Sequence, residues 1–362
     1  MNQRLANLRA QFAAQGLDGL LVTRPENQLY LSGFAGGEYL DATLLISADH
    51  AWVSTDSRYY EDVKQRAKDF QLFEAGYDRN KALGEFAATA KPRVMGFEVS
   101  HLTVAAFKDW SKAARKAGFK LKPTDGLVEE LRVIKEPEEI ATIRRAVELT
   151  DKAFAHFCAV VKTGLTELEA AWIIEEYMRK NGAEKVAFDL HVGSGLNGAM
   201  PHAIPGERRL ARGEPIVVDI GCRIDHYNSD LTRTICLGQP SDDQFIKIHK
   251  IVRKAQEAAI KKIKAGVKGK RADAFARSVI DKAGYGDKFG HGLGHGVGLA
   301  VHEAPRASQL SKDTYRSNMT LTIEPGIYIA GWGGLRIEDL VLIGENGVET
   351  LSQASKEPII RI

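Results

Sequence analysis

Apolar residues recur along this chain with two different periods, and the alternation of those periods predicts its elements. Leu5, Leu8 and Phe12 fall at helical spacing, Gly16 ends that helix, and residues 19–23 form a short apolar strand. The runs LLIS and AWVST, within 44–55, read as two strands of a hairpin turned by Ala48, Asp49 and His50. The pattern then predicts helices over 59–67, 80–88 and 103–117, alternating with strands over 70–73 and 94–98. That succession describes an α/β domain without a ligand cluster of its own. The change of pattern near 122–126 divides the chain into a first domain, 1–124, and a second, 125–362.

The second domain repeats one phrase. LVEELRVIKEPEEIATIRRAVELTDKAF is strongly helical, with Pro137 at a helical start and Ile140, Ile143, Val147 and Phe154 along one face. Thr166 and Glu169 form a capping box for the next helix, which ends at Asn181 and Gly182. Ser241 and Gln244 read as another capping box, opening a helix to about Ala265, and 271–284 supplies a shorter one. Apolar strands follow each helix pair, so the domain reads as two related halves.

Those strands carry acids where burial disfavours them. In IVVDIGCRIDHYNSDLTRTICL, 216–237, a turn between Ile224 and Asp225 would make Asp219 and Asp230 a directly opposed pair. In MTLTIEPGIYIAGWGGLRIEDLVLI, 319–343, Glu324 and Glu338 are roughly symmetric about Gly331, Gly333 and Gly334. Carboxylates so placed repel each other and lose hydration, unless a cation or a shared proton offsets both costs. A metal is the simplest remedy. Between the two runs lies GHGLGHGVGLAVHE, with His291, His295 and His302. Each acid alone would be a turn or ladder-edge residue, and the glycine-rich run alone a loop that lacks the ending of a phosphate loop. Together, Asp219, Asp230, His295, Glu324 and Glu338 form an oxygen-rich set with one imidazole. Such a set suits Mn²⁺ first, with Co²⁺ and Zn²⁺ as alternatives, and so many acids point to two ions sharing bridging carboxylates and a water.

The segments DIG, SDLTR, GHGVG, IEPG and RIED carry a resemblance over essentially the whole chain. The chain resembles the metallopeptidase superfamily of methionine aminopeptidase, Xaa-Pro aminopeptidase and prolidase, known as the pita-bread fold. VHE after GHGVG, MPHA around His202 and the separate first domain resemble the proline-specific branch. The resemblance implies an α/β N-terminal domain followed by an α+β pita-bread domain, a curved antiparallel sheet covered by helices in two pseudo-symmetric halves. It also implies a dinuclear exopeptidase that cuts between an N-terminal residue and a following proline. The compact first domain and TDSRY lean toward an aminopeptidase P acting on longer peptides, with a prolidase acting on dipeptides as the alternative. Glu324 would serve as general base. His302 and His202 would stabilise the oxyanion or bind substrate oxygens, and His291 would lie near the first residue of the substrate. Arg336, two residues before Glu338 on the same face, would orient that ligand or the substrate. A homodimer is the implied assembly. A metal-free creatinase-like hydrolase and a non-enzymatic binding module share the fold but lack an intact ligand set, and all five ligands are present here.

Composition narrows the partners. With 50 Lys and Arg against 47 Asp and Glu, nucleic acid and anionic membrane are not implied as partners. Cys158, Cys222 and Cys236 form no CxxC and no even framework, which reads as buried thiols in a reducing compartment. No apolar leader or membrane span is apparent, so a cytoplasmic location is expected. Asp56 and Arg58 read as a helix cap and an ion pair, and Asp189 and His191 as structural residues.

Overall fold

Strand Gly19–Val22 is buried along its whole length because it is an inner strand of a mixed sheet. In the computed structural model, which describes residues 2–37, 40–76 and 78–362, the chain divides into two units, Met1–Arg132 and Val133–Ile362. The first unit orders its strands Gln71–Glu74, Ala51–Thr55, Ala42–Ser47, Gly19–Val22, Val94–Glu98, Lys120–Thr124. The last of these was not expected from the sequence. Its residues, KLKPT, are polar because it is an edge strand, where lysine and proline are tolerated. Helix Pro25–Ser32 also escapes the apolar pattern, since it buries the polar Asn27, Gln28 and Ser32. Buried Glu98 stands before that helix and accepts from the backbone N–H of Thr23 and Arg24, at 2.6 and 2.7 Å. Asp56 accepts from the Arg58 N–H at 3.0 Å, and the Arg58 guanidinium bonds both Asp56 and Asp41. The ion pair is as expected, but the cap is not: the helix runs Tyr60–Arg66 with Tyr59 at its N-cap and no side-chain cap bond, so Asp56 closes the turn that precedes it.

In the second unit, helices Pro137–Val160 and Glu167–Lys180 cover the strands of one half, and Gln244–Ile260 and Gly269–Lys282 those of the other. The Thr166–Glu169 capping box is present. The box expected at Ser241 is not. The third helix starts at Gln244, and the Phe245 N–H donates to Asp242 instead, at 3.1 Å. Ser241 is drawn away because its own N–H donates to the Gly213 carbonyl. One sheet orders Ile359–Ile360, Leu231–Leu237, Pro215–Ile220 and His191–Ser194, and another Thr320–Ile323, Asp339–Ile343 and Val348–Thr350. A three-stranded sheet of Tyr227–Asn228, Cys222–Ile224 and Lys185–Val186 and two short ladders, Gly326–Ile329 with Gly333–Arg336 and Gly294–Gly296 with Glu303–Ala307, complete the strand layer. Among the described residues no helix is long and apolar enough to cross a membrane.

Candidate metal centre

The first acidic hairpin closes one residue later than the sequence suggests. Ile224 pairs with Tyr227 and Thr232 with Asp219, so Asp225 and His226 are the two turn residues, with φ of 43° and 71°. A two-residue hairpin turn of this kind needs left-handed backbone at both positions, which β-branched Ile224 resists and Asp225 and His226 accept. The directly opposed pair is therefore Asp219 and Thr232, which corrects the expected Asp219–Asp230 pairing. Asp230, two residues from Thr232, keeps the same face and meets Asp219 diagonally. The second hairpin has the expected symmetry. Ile323 pairs with Asp339 and Gly326 with Arg336, leaving Glu324 and Glu338 at mirror positions.

Threonines join the two hairpins. The Glu338 N–H donates to the Thr232 carbonyl and the Arg336 N–H to Thr234 Oγ1, both at 3.0 Å. His295 enters between close neighbours. A Cβ on Gly294 would lie 1.9 Å from the Thr322 carbonyl oxygen, and one on Gly296 2.2 Å from that of Ala304, so only glycine fits on either side of it. His295 Nδ1 donates to the Gly296 carbonyl at 3.1 Å, which leaves Nε2 bare. That nitrogen lies 3.4 Å from Glu324 Oε1 and 3.7 Å from Asp230 Oδ2. Ligand atoms of Asp230, His295 and Glu338 all lie within 4.8 Å of one another.

The electrostatics are those of a cation site. Burial, then the charge of Glu338, raises the Asp230 carboxyl well above its ordinary range, and burial with the charges of Glu324 and Asp219 does the same to Glu338. Burial pushes Glu324 up to about 7. His295 is pushed down to about 3 by burial and then by His302, so its ring is neutral and free to act as a ligand. Asp219 and Glu324 stand outside the tightest group. Asp219 Oδ2 accepts from Arg336 at 2.5 Å, while its Oδ1 is buried without a hydrogen-bond partner among the described residues. An orphaned carboxylate oxygen beside three further buried acids and a bare imidazole nitrogen fits a divalent ion.

Arg336 organises one side of the centre. Its Nε donates to Thr232 Oγ1 at 2.9 Å, and that hydroxyl donates to Glu338 Oε2 at 2.6 Å. Arg336 Nη1 donates to the Tyr328 hydroxyl at 2.6 Å. His291 has its Nδ1 proton on the Gly292 carbonyl, so Tyr328 donates in turn to His291 Nε2, at 3.1 Å. One guanidinium thus ties Asp219 to Glu338 through Thr232, and to His291 through Tyr328. The sequence pointed to Arg336 but not to Thr232, whose only signal is its register opposite Asp219.

A cavity of about 730 Å³ opens over the centre, and all nine residues singled out in the sequence line it. His302 sits at its exposed side with its ring 4.2 Å from that of His295. Among the other wall residues, Phe188 and Arg306 carry no signal in the sequence. His191, expected to be structural, faces the cavity because its pairing with Asp219 across the ladder puts both side chains on one face.

Residues 141–345 match the model of metallopeptidase family M24, and residues 4–134 that of the creatinase/prolidase N-terminal domain. The chain is 38% identical to an Xaa-Pro dipeptidase of Pyrococcus furiosus over 365 aligned residues, covering 99% of each chain. Among solved structures it is similar to an Xaa-Pro dipeptidase from Bacillus anthracis, with a TM-score of 0.94, 35% identity and 99% of each chain covered. It is also similar to an X-Pro aminopeptidase from Thermotoga maritima, with a TM-score of 0.90, 36% identity and 99% of each chain covered.

Proposed function

The chain belongs to metallopeptidase family M24, and from that premise we propose that it is an Xaa-Pro dipeptidase, splitting a dipeptide between its first residue and proline. The observation that carries the dipeptide reading is Arg306. It lines the cavity, exposed and without an ion-pair partner among the described residues. It stands on strand Glu303–Ala307, which pairs with the strand of His295. A cation in the cavity wall suits the free carboxylate of a two-residue substrate, and a longer peptide would bring no charge to it. Two of the three relatives above bear the name of dipeptidases, which supports the same reading. The aminopeptidase reading that the sequence favours is represented by the Thermotoga relative and is the other outcome of the test.

Asp219, Asp230, His295, Glu324 and Glu338 are the proposed ligands of two divalent ions, Mn²⁺ first among them. When bound, such a pair supplies a Lewis acid and acidifies a water to near neutrality. The chain's own residues do the rest. Asp219 receives the substrate's α-ammonium, which admits only the first residue of a chain to the centre. Glu324 Oε2, the oxygen that Thr322 does not hold, takes the proton of the attacking water and returns it to the leaving nitrogen. His302, held below the usual imidazole range by partial burial and by Arg306, donates an N–H to the developing oxyanion, with His202 beside it. His291, held by Tyr328, borders the substrate next to the centre, and Arg336 holds Asp219 in place. The family resemblance adds a homodimer, to be checked by light scattering, and the cytoplasmic location expected from the sequence is to be checked by cell fractionation. The three cysteines, all free, accord with a reducing compartment.

The test is hydrolysis of Ala-Pro, Ala-Pro-Ala and Ala-Pro-amide after chelation and again after Mn²⁺ is restored. Metal-restored cleavage of Ala-Pro, roughly a hundredfold ahead of the amide, is the expected result, because the amide lacks the charge that Arg306 recognises. Arg306→Met should raise KM for Ala-Pro and leave the amide unaffected. Preference for the tripeptide would make the enzyme an aminopeptidase P instead.

A further inference from the structure

Beside Asp219 the cavity wall is made by Phe188 and His191, and neither has a part in the chemistry above. His191 Nδ1 lies 3.1 Å from the Ala203 carbonyl oxygen. A carbonyl only accepts, so that nitrogen carries the proton, and in this tautomer Nε2 keeps a bare lone pair. Nε2 has no hydrogen-bond partner among the described residues. The ring is also held in place. Phe188 stacks on it with centroids 6.1 Å apart and planes 28° apart, and His202 meets it edge-on at 5.7 Å. A fixed acceptor beside an apolar ring is a subsite of mixed character.

The strands on either side of the centre give the cavity two chemically different ends. Strand His191–Ser194 lies outside Pro215–Ile220, beyond Asp219, whereas Arg306 lies on the strand beyond His295. A dipeptide with its carboxylate at Arg306 and its amine at Asp219 therefore turns its first side chain toward Phe188 and His191. We propose that His191 is a specificity-determining residue for that side chain. Its Nε2 accepts a hydrogen bond from a hydroxyl or amide donor, so Thr, Ser and Asn in first position are preferred over apolar residues of the same shape. The inference rests on the dipeptidase reading for the direction of the substrate, and it adds the class of first residue.

The experiment compares kcat/KM within near-isosteric pairs, Thr-Pro against Val-Pro and Asn-Pro against Leu-Pro, with Thr-Ala against Val-Ala beside them. It uses the metal-loaded full chain as wild type, His191→Leu and His191→Gln. Each ratio is internal to one enzyme, so a general loss of activity cancels. The wild type should favour the donor-bearing member about tenfold, the effect of one net hydrogen bond. His191→Leu should bring the ratios to about one, and His191→Gln, which keeps an acceptor, should restore part of them. Ratios that are the same in wild type and His191→Leu, or a wild type that prefers Val-Pro, overturn the proposal. Should His191→Leu fail to fold, His191→Ala, which also removes the acceptor, takes its place with the same expected and overturning ratios. Cleavage of the Ala pair alone, with a ratio that depends on His191, would remove the proline reading and leave the role of His191 standing. Cleavage of no pair overturns both.

Discussion

Without its metal, the centre must hold its acids with protons, and that makes its stability depend on pH in a calculable way. Burial raises Glu324 from 4.5 to about 7, and Asp230 and Glu338 move in the same direction. A carboxyl whose folded value is raised keeps in the folded protein a proton that the unfolded chain releases. Its contribution is therefore full at low pH and is lost as pH rises through the folded value. For Glu324 the total loss is about 3 kcal/mol, of which roughly 2.5 kcal/mol falls between pH 5 and 8. Buried histidines act with the opposite sign at lower pH. His249 and His291, each lowered to about 4, and His295, lowered to about 3, lose stability as pH falls below the ordinary imidazole value. Comparison with Glu324→Gln removes their contribution, since it is common to both proteins. Thermal unfolding of the chelated wild type and variant, followed by circular dichroism at pH 5, 6, 7 and 8, is the assay. The variant should gain on the wild type by roughly 3–5 °C in Tm across that range. Restoring Mn²⁺ at pH 8 should reverse the order, because the wild type binds the ion more tightly. A Tm difference that stays constant from pH 5 to 8 would refute the assignment of Glu324 as a buried, proton-holding acid.

Asp230→Asn removes a charged ligand at the heart of the set, and turnover should vanish while the circular dichroism spectrum is kept; metal content by atomic emission should fall with it. Thr232→Val deletes the hydroxyl between Arg336 and Glu338, and metal affinity by titration calorimetry should drop about tenfold or more. Fully buried Glu167 accepts from the backbone and hydroxyl of Ser194, the amide of Asn197 and the N–H of Gly206, which brackets the segment that carries His202. Glu167→Ala leaves those donors unpaired, at a cost of at least about 3 kcal/mol in urea unfolding. The freed segment should also raise KM more than it lowers kcat.

Much of this protein can be read locally. The capping box at Thr166, the proline start at 137 and the apolar strands are decided by residues within a few positions of one another, and they appear in the fold where expected. The mirror placement of Glu324 and Glu338 is also local, because one turn sets the register of both strands. The acids themselves are legible because several carboxylates in apolar strands call for a cation, a shared proton or dedicated donors. Other features depend on chain segments far apart. The turn at Asp225 and His226 lies one residue beyond the place the alternation suggests, since an apolar alternation sets the face of a strand but not its partner. Thr232 gained its place in the site from that register and from a hairpin about a hundred residues later, with Arg336 and Glu338 on its two sides. His191 and Arg306 carry no pattern that separates them from ordinary strand residues. Only the pairing of their strands turns them to the cavity, His191 beside Asp219 and Arg306 beyond His295. The sequence by itself therefore determined which chemistry this protein carries, because ligand types and local turns are written in short stretches. The tertiary structure alone decided which side chains stand around that chemistry to choose a substrate, because a side chain's neighbours across a sheet come from strands its own stretch does not specify.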